Sequence, residues 1–128
     1  MSIAQRLIKS VCQHCSESGC EPTDAEKRKF ALNATMTGDT EAMPKTVTRI
    51  KNKTGCDKCD NGYAGELPVL EILPFTREVK DAATGRLFND DPVRQRSIMA
   101  KARTITLLQS GMRLMEQGLV DLDSILFF

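Results

Sequence analysis

Two Cys-x-x-Cys pairs constrain the fold of this chain more than any other feature of its sequence. Cys12 and Cys15 form the first pair, and Cys56 and Cys59 form the second. This is the shortest spacing that lets one turn of backbone present two sulfur atoms to one ion while its own N–H groups point at them. We therefore predict that the four cysteines bind a single structural Zn²⁺ ion. A closed site of four thiolates has no open position for water, so it can stabilise structure but cannot activate a nucleophile.

The stretch from Ser16 to Gly55 separates the two pairs, and it is longer than the corresponding interval of a zinc ribbon. The entropy cost of closing a loop rises by only about 0.6 kcal/mol for each doubling of its length. A structural zinc ion contributes about 10 kcal/mol or more at neutral pH, so the long interval does not prevent the site from forming. Gly55 and Gly62 flank the second pair and supply the backbone freedom that a tight turn needs.

Other interpretations of the cysteines stay open at this point. A Cys-x-x-Cys pair also serves as a redox dithiol in thioredoxin-like proteins, and four sulfurs also bind iron in rubredoxin-like sites. His14 lies between the first two cysteines, where it is interpreted as solvated, with a substitute ligand as the lesser alternative. Cys20 is interpreted as a free thiol, with a lesser expectation that it replaces one of the four ligands.

The composition excludes several functional classes. The 128 residues include no Trp, one Tyr and five Phe, so aromatic platforms for stacking bases are nearly absent. Eighteen Lys and Arg residues against seventeen Asp and Glu residues give a net charge of +1, which creates no global field for nucleic acid or an acidic membrane. No apolar run approaches the roughly 20 residues of a membrane span, and no secretory signal opens the chain. We expect a single cytoplasmic domain with protein partners, no nucleic acid and no direct membrane insertion.

The first half of the chain is predicted to contain two helices and two strands. Ile3, Leu7, Ile8 and Val11 recur at helical spacing, so a helix is predicted over residues 2–11. The chain reaches this helix with no earlier element for it to pack against, which suggests a segment of a longer protein. Residues 16–44 form a polar insertion between the Cys pairs, with one short helix over residues 25–34. Strands are predicted over residues 45–51 and 66–73, on either side of the second pair.

The C-terminal half is predicted to be helical. Thr76 can cap a helix that reaches about Leu87, and Asp91 opens a longer one. The longer helix is marked by a core-facing stripe at three- and four-residue steps, made of Ile98, Ala102, Ile105, Leu108, Met112 and Met115. Gly118 closes it with left-handed backbone, and a last helix follows from Leu122 to Phe127. The predicted fold class is α+β, a small zinc-stabilised module with two Cys-x-x-Cys knuckles next to a β-hairpin or small sheet.

Three sequence motifs together cover nearly the whole chain. The first is Ile-Ala-Gln-Arg-Leu-Ile at residues 3–8, leading into the first Cys pair, and the second is Gly-Cys-x-x-Cys-x-x-Gly-Tyr-x-Gly at residues 55–65, with the strand that follows it. The third runs from Thr-Leu at residues 106–107 through Gly118 to a terminal helix. Together they resemble the C-terminal tetracysteine region of type II secretion and type IV pilus assembly ATPases. Two positions depart from that pattern: Glu66 stands where a basic residue usually follows the glycine, and Pro68 stands where glycine is common.

The resemblance implies that residues 1–128 are a single C-terminal zinc-binding domain of a larger hexameric ATPase. The expected partners are the rest of the ATPase, neighbouring subunits of the hexamer and a platform protein at the inner face of the bacterial inner membrane. ATP and Mg²⁺ would belong only to the parent protein, because the chain contains no Gly-x-x-x-x-Gly-Lys-Ser/Thr phosphate-binding loop. The segment itself is expected to be no enzyme, and to serve protein transport or pilus biogenesis by scaffolding and partner docking.

A second class of function stays open, namely a free-standing zinc-ribbon-like module that binds nucleic acid. Basic residues could form one face near the metal, from Lys45, Arg49, Lys51, Lys53 and Lys58. A second face on the long helix would consist of Arg94, Arg96, Lys101 and Arg103. Such charge runs are usually solvated surfaces, and the small net charge agrees with that simpler interpretation.

Overall fold

A computed structural model describes residues 1–37, 42–84, 93–94, 97–98 and 105–126 of the chain. Its strands are β1 (Ser2–Val11), β2 (Ser16–Cys20), β3 (Val47–Ile50) and β4 (Tyr63–Leu73). Its helices are α1 (Asp24–Thr37), α2 (Arg77–Thr84), α3 (Leu107–Glu116) and α4 (Leu122–Ile125). The predicted α+β class, with a small sheet and helices in the C-terminal half, is confirmed. No helix in these described ranges is both long and apolar enough to cross a membrane.

The strands form two separate antiparallel pairs, and their pairing brings the two cysteine knuckles together. β1 pairs with β4, and Val11 at the end of β1 lies opposite Tyr63 at the start of β4. β2 pairs with β3, and Ser16 at the start of β2 lies opposite Ile50 at the end of β3. The first Cys pair connects β1 to β2 and the second connects β3 to β4. Both connections therefore lie at the junction between the two small sheets.

The hydrophobic core lies between the strands and the C-terminal helices. It is built from Ile8, Phe30, Val47, Val69, Leu108, Met112, Met115, Val120, Leu122 and Ile125. Aliphatic residues and methionine dominate it, and Phe30 is its one aromatic member among the described residues. α3 and α4 approach each other at Gly111, where an added Cβ atom would lie 2.6 Å from Cγ2 of Ile125. α3 and α4 pack together because glycine leaves that space open.

The predicted helix over residues 2–11 is wrong, because this segment is strand β1. Ile8 and Val11 are buried, but Ile3 and Leu7 are exposed, so the helical stripe does not correspond to one buried face. A ten-residue segment with few apolar residues can be matched to either a helical or a strand period, and periodicity alone does not separate the two. The backbone pairing with β4 decides between them, because it gives hydrogen-bond partners to alternate residues of the segment along its length.

The long helix predicted to run through Ile105 is also corrected. Ile105 forms an isolated bridge with Ile72 of β4, and α3 begins only at Leu107. Thr106 and Gln109 form a reciprocal capping box that starts the helix there. From that point the prediction is confirmed, since Leu108, Met112 and Met115 are buried and Gly118 has a φ of 76°. Residues 93–94 and 97–98 are helical, whereas Ala102 lies outside the described residues.

The other sequence-predicted elements are found, with different ends or partners. Strands occur in both predicted places, as β3 and β4, but each pairs with an earlier strand and not with the other. The polar insertion contains the predicted helix as α1 and also β2, which the sequence did not predict; its residues 38–41 lie outside the description. Thr76 accepts from the backbone N–H of Val79 at the start of α2, as predicted. Leu87 and Phe127, the other predicted helix ends, lie outside the described residues.

Candidate metal centre

The four predicted ligands converge on one point. The Sγ atoms of Cys12, Cys15, Cys56 and Cys59 all lie within 4.8 Å of one another. Cys12 Sγ is 3.7 Å from Cys56 Sγ, and Cys15 Sγ is 3.7 Å from Cys59 Sγ. Cys12 is buried and the other three are half-buried. Among the described residues, this is the group of cysteine, histidine and acidic side chains that can hold a metal ion.

The sulfur positions fit a tetrahedral metal ion. A Zn–S bond of about 2.3 Å implies that sulfurs at the corners of a tetrahedron lie about 3.8 Å apart. The Sγ atoms of Cys56 and Cys59 are 3.6 Å apart, and two of the four distances between the pairs, Cys12–Cys56 and Cys15–Cys59, are 3.7 Å. A disulfide would need sulfurs about 2.05 Å apart, and all five cysteines are free thiols. The donor set therefore fits four-coordinate thiolate ligation.

Backbone N–H groups in the knuckles point at the sulfurs. The N–H of His14 donates to Cys12 Sγ at 3.4 Å, and the N–H of Cys56 donates to Cys59 Sγ at 3.2 Å. The turn that allows the second of these contacts needs glycine at residue 55, which has a φ of 74°. A Cβ atom there would lie 2.8 Å from Cys59 Sγ. These hydrogen bonds stabilise the negatively charged thiolate, and the thiolate is the form of cysteine that binds a metal.

The thiols differ strongly in their proton affinity. The hydrogen bond from the His14 N–H lowers the pKa of Cys12 to about 6. Burial, followed by hydrogen bonds with the neighbouring thiols, raises the pKa of Cys15 to about 12. The pKa of Cys56 is also raised: the Lys58 N–H lowers it, but burial and the neighbouring thiols outweigh that effect. Four crowded sulfurs cannot all carry charge without a cation among them, so metal binding at this cluster releases protons.

The two remaining candidate ligands lie outside the cluster. His14 is exposed, and its contribution to the cluster is the backbone N–H that donates to Cys12. The Cys20 thiol is 3.9 Å from a carboxylate oxygen of Glu17 and is absent from the group of converging sulfurs. These positions agree with the interpretation of His14 as solvated and of Cys20 as a free thiol.

The first knuckle is tied to the turn that connects α3 with α4. The Val11 N–H, immediately before Cys12, donates to the carbonyl of Leu119 at 2.9 Å. The Ser10 hydroxyl donates to the same carbonyl at 3.1 Å. The Cys12 N–H donates to the carbonyl of Gly62 at 2.8 Å, which joins the two knuckles directly. The C-terminal turn is therefore held by the same backbone segment that supplies the first ligand.

A side-chain hydrogen bond ties the second knuckle to the same turn. The Tyr63 hydroxyl donates to Asp121 Oδ2 at 2.7 Å, and Asp121 Oδ1 caps α4 by accepting from the Ser124 N–H at 3.0 Å. Asp121 is 5% exposed, so its carboxylate depends on these partners. The sequence predicted a helix that begins at Leu122, directly after Asp121, and a motif that contains Tyr63, but not the contact between Asp121 and Tyr63. Residues this far apart in sequence leave no local signal of a hydrogen bond.

The Tyr63–Asp121 contact gives a pH prediction. Burial, and then the hydrogen bond to Asp121, raise the pKa of Tyr63 above its ordinary value of about 10. Because the folded pKa is the higher one, Tyr63 stabilises the fold fully below about pH 10, and this contribution is lost as the pH rises further. Tyr63 is the one tyrosine of the chain, so phenolate absorbance reports it alone. We expect its midpoint to lie above 10 in the folded protein.

The control is the same titration in concentrated guanidinium chloride, where the midpoint should return to about 10. In Tyr63→Phe the absorbance change should disappear, and the loss of stability between pH 9 and higher pH should be smaller than in the unaltered chain. A midpoint of about 10 in the folded protein would contradict the buried contact.

Comparison with known protein families identifies the family of this chain. A family model described as "Type II/IV secretion system protein" matches residues 1–126. The chain belongs to the type II/IV secretion system protein family. The resemblance predicted from the three motifs is therefore confirmed, and the tetracysteine cluster expected from it is present in the structure.

Individual members of the family match at low identity along almost the full chain. It is 28% identical over 126 residues to the type IV pilus assembly ATPase PilB of Acinetobacter baylyi, covering 96% of this chain and 20% of that protein. It is 25% identical over 125 residues to the type II secretion system ATPase E of Vibrio cholerae, covering 97% and 22%. It is 24% identical over 124 residues to the protein transport protein HofB homolog of Escherichia coli, covering 97% and 23%. The chain thus spans about a fifth of the length of these family members.

Proposed function

We propose that this chain is the structural zinc-binding, C-terminal domain of a hexameric secretion or pilus assembly ATPase. In this proposal Cys12, Cys15, Cys56 and Cys59 hold one Zn²⁺ ion. The parent protein supplies ATP and Mg²⁺ chemistry, and the domain supplies a rigid surface. That surface contacts the rest of the ATPase, neighbouring subunits and a platform protein at the cytoplasmic face of the bacterial inner membrane.

The convergence of four sulfurs from two distant segments carries this proposal. The ligand pairs lie at the junction between the β1–β4 and β2–β3 sheets, so an ion between them would hold the two sheets in one arrangement. The turn at Leu119 and Asp121 is hydrogen-bonded to residues beside both knuckles. Zinc would therefore fix the C-terminal helices as well as the strands. A closed site of four thiolates supports a structural role, since it offers no position for substrate.

The charges around the centre do not favour a nucleic-acid interface. Arg49 lies 3.1 Å from a carboxylate oxygen of Glu26, and Lys51 lies 3.9 Å from one of Glu17. Two members of the predicted basic face are thus opposed by glutamates. On the predicted second face, Arg94 is exposed, while Arg96, Lys101 and Arg103 lie outside the described residues. The remaining lysines near the metal are too few to contact a run of phosphates.

Elemental analysis of the purified, reduced chain tests the proposal. We expect one zinc ion for each chain, because the structure brings together one set of four thiol ligands. Replacement of the ion by Co²⁺ should give the absorption spectrum of a tetrahedral tetrathiolate site. Iron at one ion per chain in place of zinc would favour the rubredoxin-like interpretation. Fully reduced protein that binds neither metal would contradict the proposed role.

A further inference from the structure

The four converging sulfurs form two separate close pairs, and each pair joins one knuckle to the other. Cys12 Sγ lies 3.7 Å from Cys56 Sγ, and Cys15 Sγ lies 3.7 Å from Cys59 Sγ. No sulfur belongs to both pairs, so the four thiols can form two disulfides at once. The sulfurs of a disulfide are about 2.05 Å apart, so the two atoms of each pair must approach each other by about 1.7 Å. Each bond would link residues that are 44 positions apart in sequence.

The exposure of the thiols determines which of them a small oxidant contacts first. Cys15, Cys56 and Cys59 are half-buried, whereas Cys12 is only 1% exposed. Oxidation of a cysteine depends on its exposure, so peroxide reacts with the three half-buried sulfurs and not with Cys12. Cys12 can still react in the second step, by attacking a neighbouring sulfur that is already oxidised. Cys56 is the neighbour that lies beside it.

We propose that the cysteine cluster is a redox-modification site, where hydrogen peroxide converts four thiols into the disulfides Cys12–Cys56 and Cys15–Cys59. This inference deepens the proposed function, because it assigns a form of regulation to the same four residues. A disulfide sulfur is no longer the thiolate that a metal requires. Oxidation therefore releases the metal ion and replaces it with two covalent bonds between the knuckles.

The chemistry of each pair balances with one peroxide molecule. One thiol loses its proton and attacks a peroxide oxygen, so that the O–O bond breaks and a sulfenic acid and a hydroxide ion form. The hydroxide ion takes up the proton that the thiol lost and becomes water. The partner thiol then attacks the sulfenic sulfur, which forms the S–S bond and releases a second water. Each pair loses two electrons to peroxide, so the four thiols consume two peroxide molecules.

The second knuckle leaves little room for a disulfide between its own cysteines, although their Sγ atoms are 3.6 Å apart. The Cys59 sulfur accepts a hydrogen bond from the Cys56 N–H at 3.2 Å. A Cβ atom at Gly55 would lie 2.8 Å from this sulfur and 2.6 Å from the Gly62 nitrogen, so a bond within the knuckle must reshape a tight turn. A bond between the knuckles needs only the side chains to move, because the Cys12 N–H already donates to the Gly62 carbonyl.

Pairing between the knuckles preserves the contacts that depend on their arrangement. The Val11 N–H can still donate to the Leu119 carbonyl, and the Tyr63 hydroxyl to Asp121. The oxidised chain is therefore expected to stay folded without metal. In a reducing compartment such disulfides are transient and redox-sensing, so reductant and zinc together should restore the metal-bound form.

Treatment of the zinc-loaded chain with two molecules of hydrogen peroxide per chain tests the proposal. A chromophoric chelator that measures released zinc should detect one ion per chain. Alkylation in denaturant counts the free thiols, of which the untreated chain has five. We expect a five-fold fall to one, because Cys20 lies outside the cluster. In the matched control Cys20→Ser, zinc release should be unchanged and the thiol count should fall from four to zero.

Tryptic peptide mapping without reduction identifies the disulfide partners. Trypsin cleaves between Cys56 and Cys59 and gives peptides 54–58 and 59–77, while both cysteines of the first knuckle lie in peptide 10–27. Disulfides between the knuckles join all three peptides in one species, and fragmentation within peptide 10–27 assigns the partner of each cysteine. Disulfides within each knuckle would leave peptide 10–27 separate from the other two and would overturn the proposal.

The remaining outcomes separate this inference from the proposed function. If the treated chain keeps its zinc ion and five thiols, or gains sulfinic acid without disulfides, the inference is wrong and the structural zinc site stands. If the reduced chain binds no metal, the proposed function fails, and the peptide map still decides whether the thiols pair between the knuckles.

Discussion

Replacing Cys56 with serine is expected to abolish zinc binding and to unfold the region around the centre. The substitution removes one of four thiolates, and a structural zinc site contributes about 10 kcal/mol or more to folding. A domain of this size is typically stable by only about 5–15 kcal/mol. Without the ion, the two strand pairs and the C-terminal turn lose the connection that holds them together. Metal content by elemental analysis and thermal unfolding by circular dichroism measure the two effects.

Cys20→Ser is the matched control for that experiment. It makes the same chemical change at a thiol that lies outside the cluster and is 3.9 Å from Glu17. We expect it to retain one zinc ion and a melting temperature close to that of the unaltered chain. Full zinc content in Cys56→Ser would refute the ligand assignment. Loss of zinc in Cys20→Ser would do so as well, because it would place that cysteine among the ligands.

Replacing Gly55 with alanine is expected to weaken metal binding about 10- to 100-fold, the range seen when an outer-shell partner of a metal ligand is lost. A Cβ atom at this position would lie 2.6 Å from the backbone nitrogen of Gly62 and 2.8 Å from Cys59 Sγ. Both atoms must shift, so the hydrogen bond from the Cys56 N–H to Cys59 Sγ is lost. Competition with a chelator of known affinity measures the change.

Gly19→Ala separates this steric effect from simple backbone strain. Gly19 has a φ of 75°, almost the same as the 74° of Gly55, but nothing lies within 4 Å of its added Cβ atom. Left-handed backbone costs an alanine about 1–2 kcal/mol, so both variants should lose that much stability. Only Gly55→Ala should lose metal affinity. Equal zinc affinities in the two variants would show that the packing of residue 55 against Cys59 does not matter.

The cysteine cluster could be predicted from sequence because its spacing signal is local. Each Cys-x-x-Cys pair predicts within four residues that its two thiols face one point. Gly55 indicates the tight turn beside the second pair. The same holds for the start of α2, where Thr76 caps the helix. The capping box of Thr106 and Gln109 was equally local and shows where α3 begins. Ile105 fits the apolar stripe of α3 although it lies before the helix, because apolar spacing alone does not distinguish a helical residue from one in a neighbouring β-bridge.

Strand pairing was beyond the reach of the sequence because it depends on segments far apart in the chain. β1 became a strand through pairing with β4, whose Tyr63 lies opposite Val11. β2 has few apolar residues to mark it, and it forms through pairing with β3. Local propensity contributes less to such short segments than the backbone hydrogen bonds that a partner strand supplies.

The sequence by itself determined which four cysteines converge, the α+β class and the family, since each rests on spacing or pattern within short stretches. Only the tertiary structure decided which strands pair and how the turn at Leu119 and Asp121 joins both knuckles. The physical reason is that a hydrogen bond such as that between Tyr63 and Asp121 depends on how the fold positions two segments that are far apart in sequence. The local sequence around each of these two residues does not predict its hydrogen-bond partner.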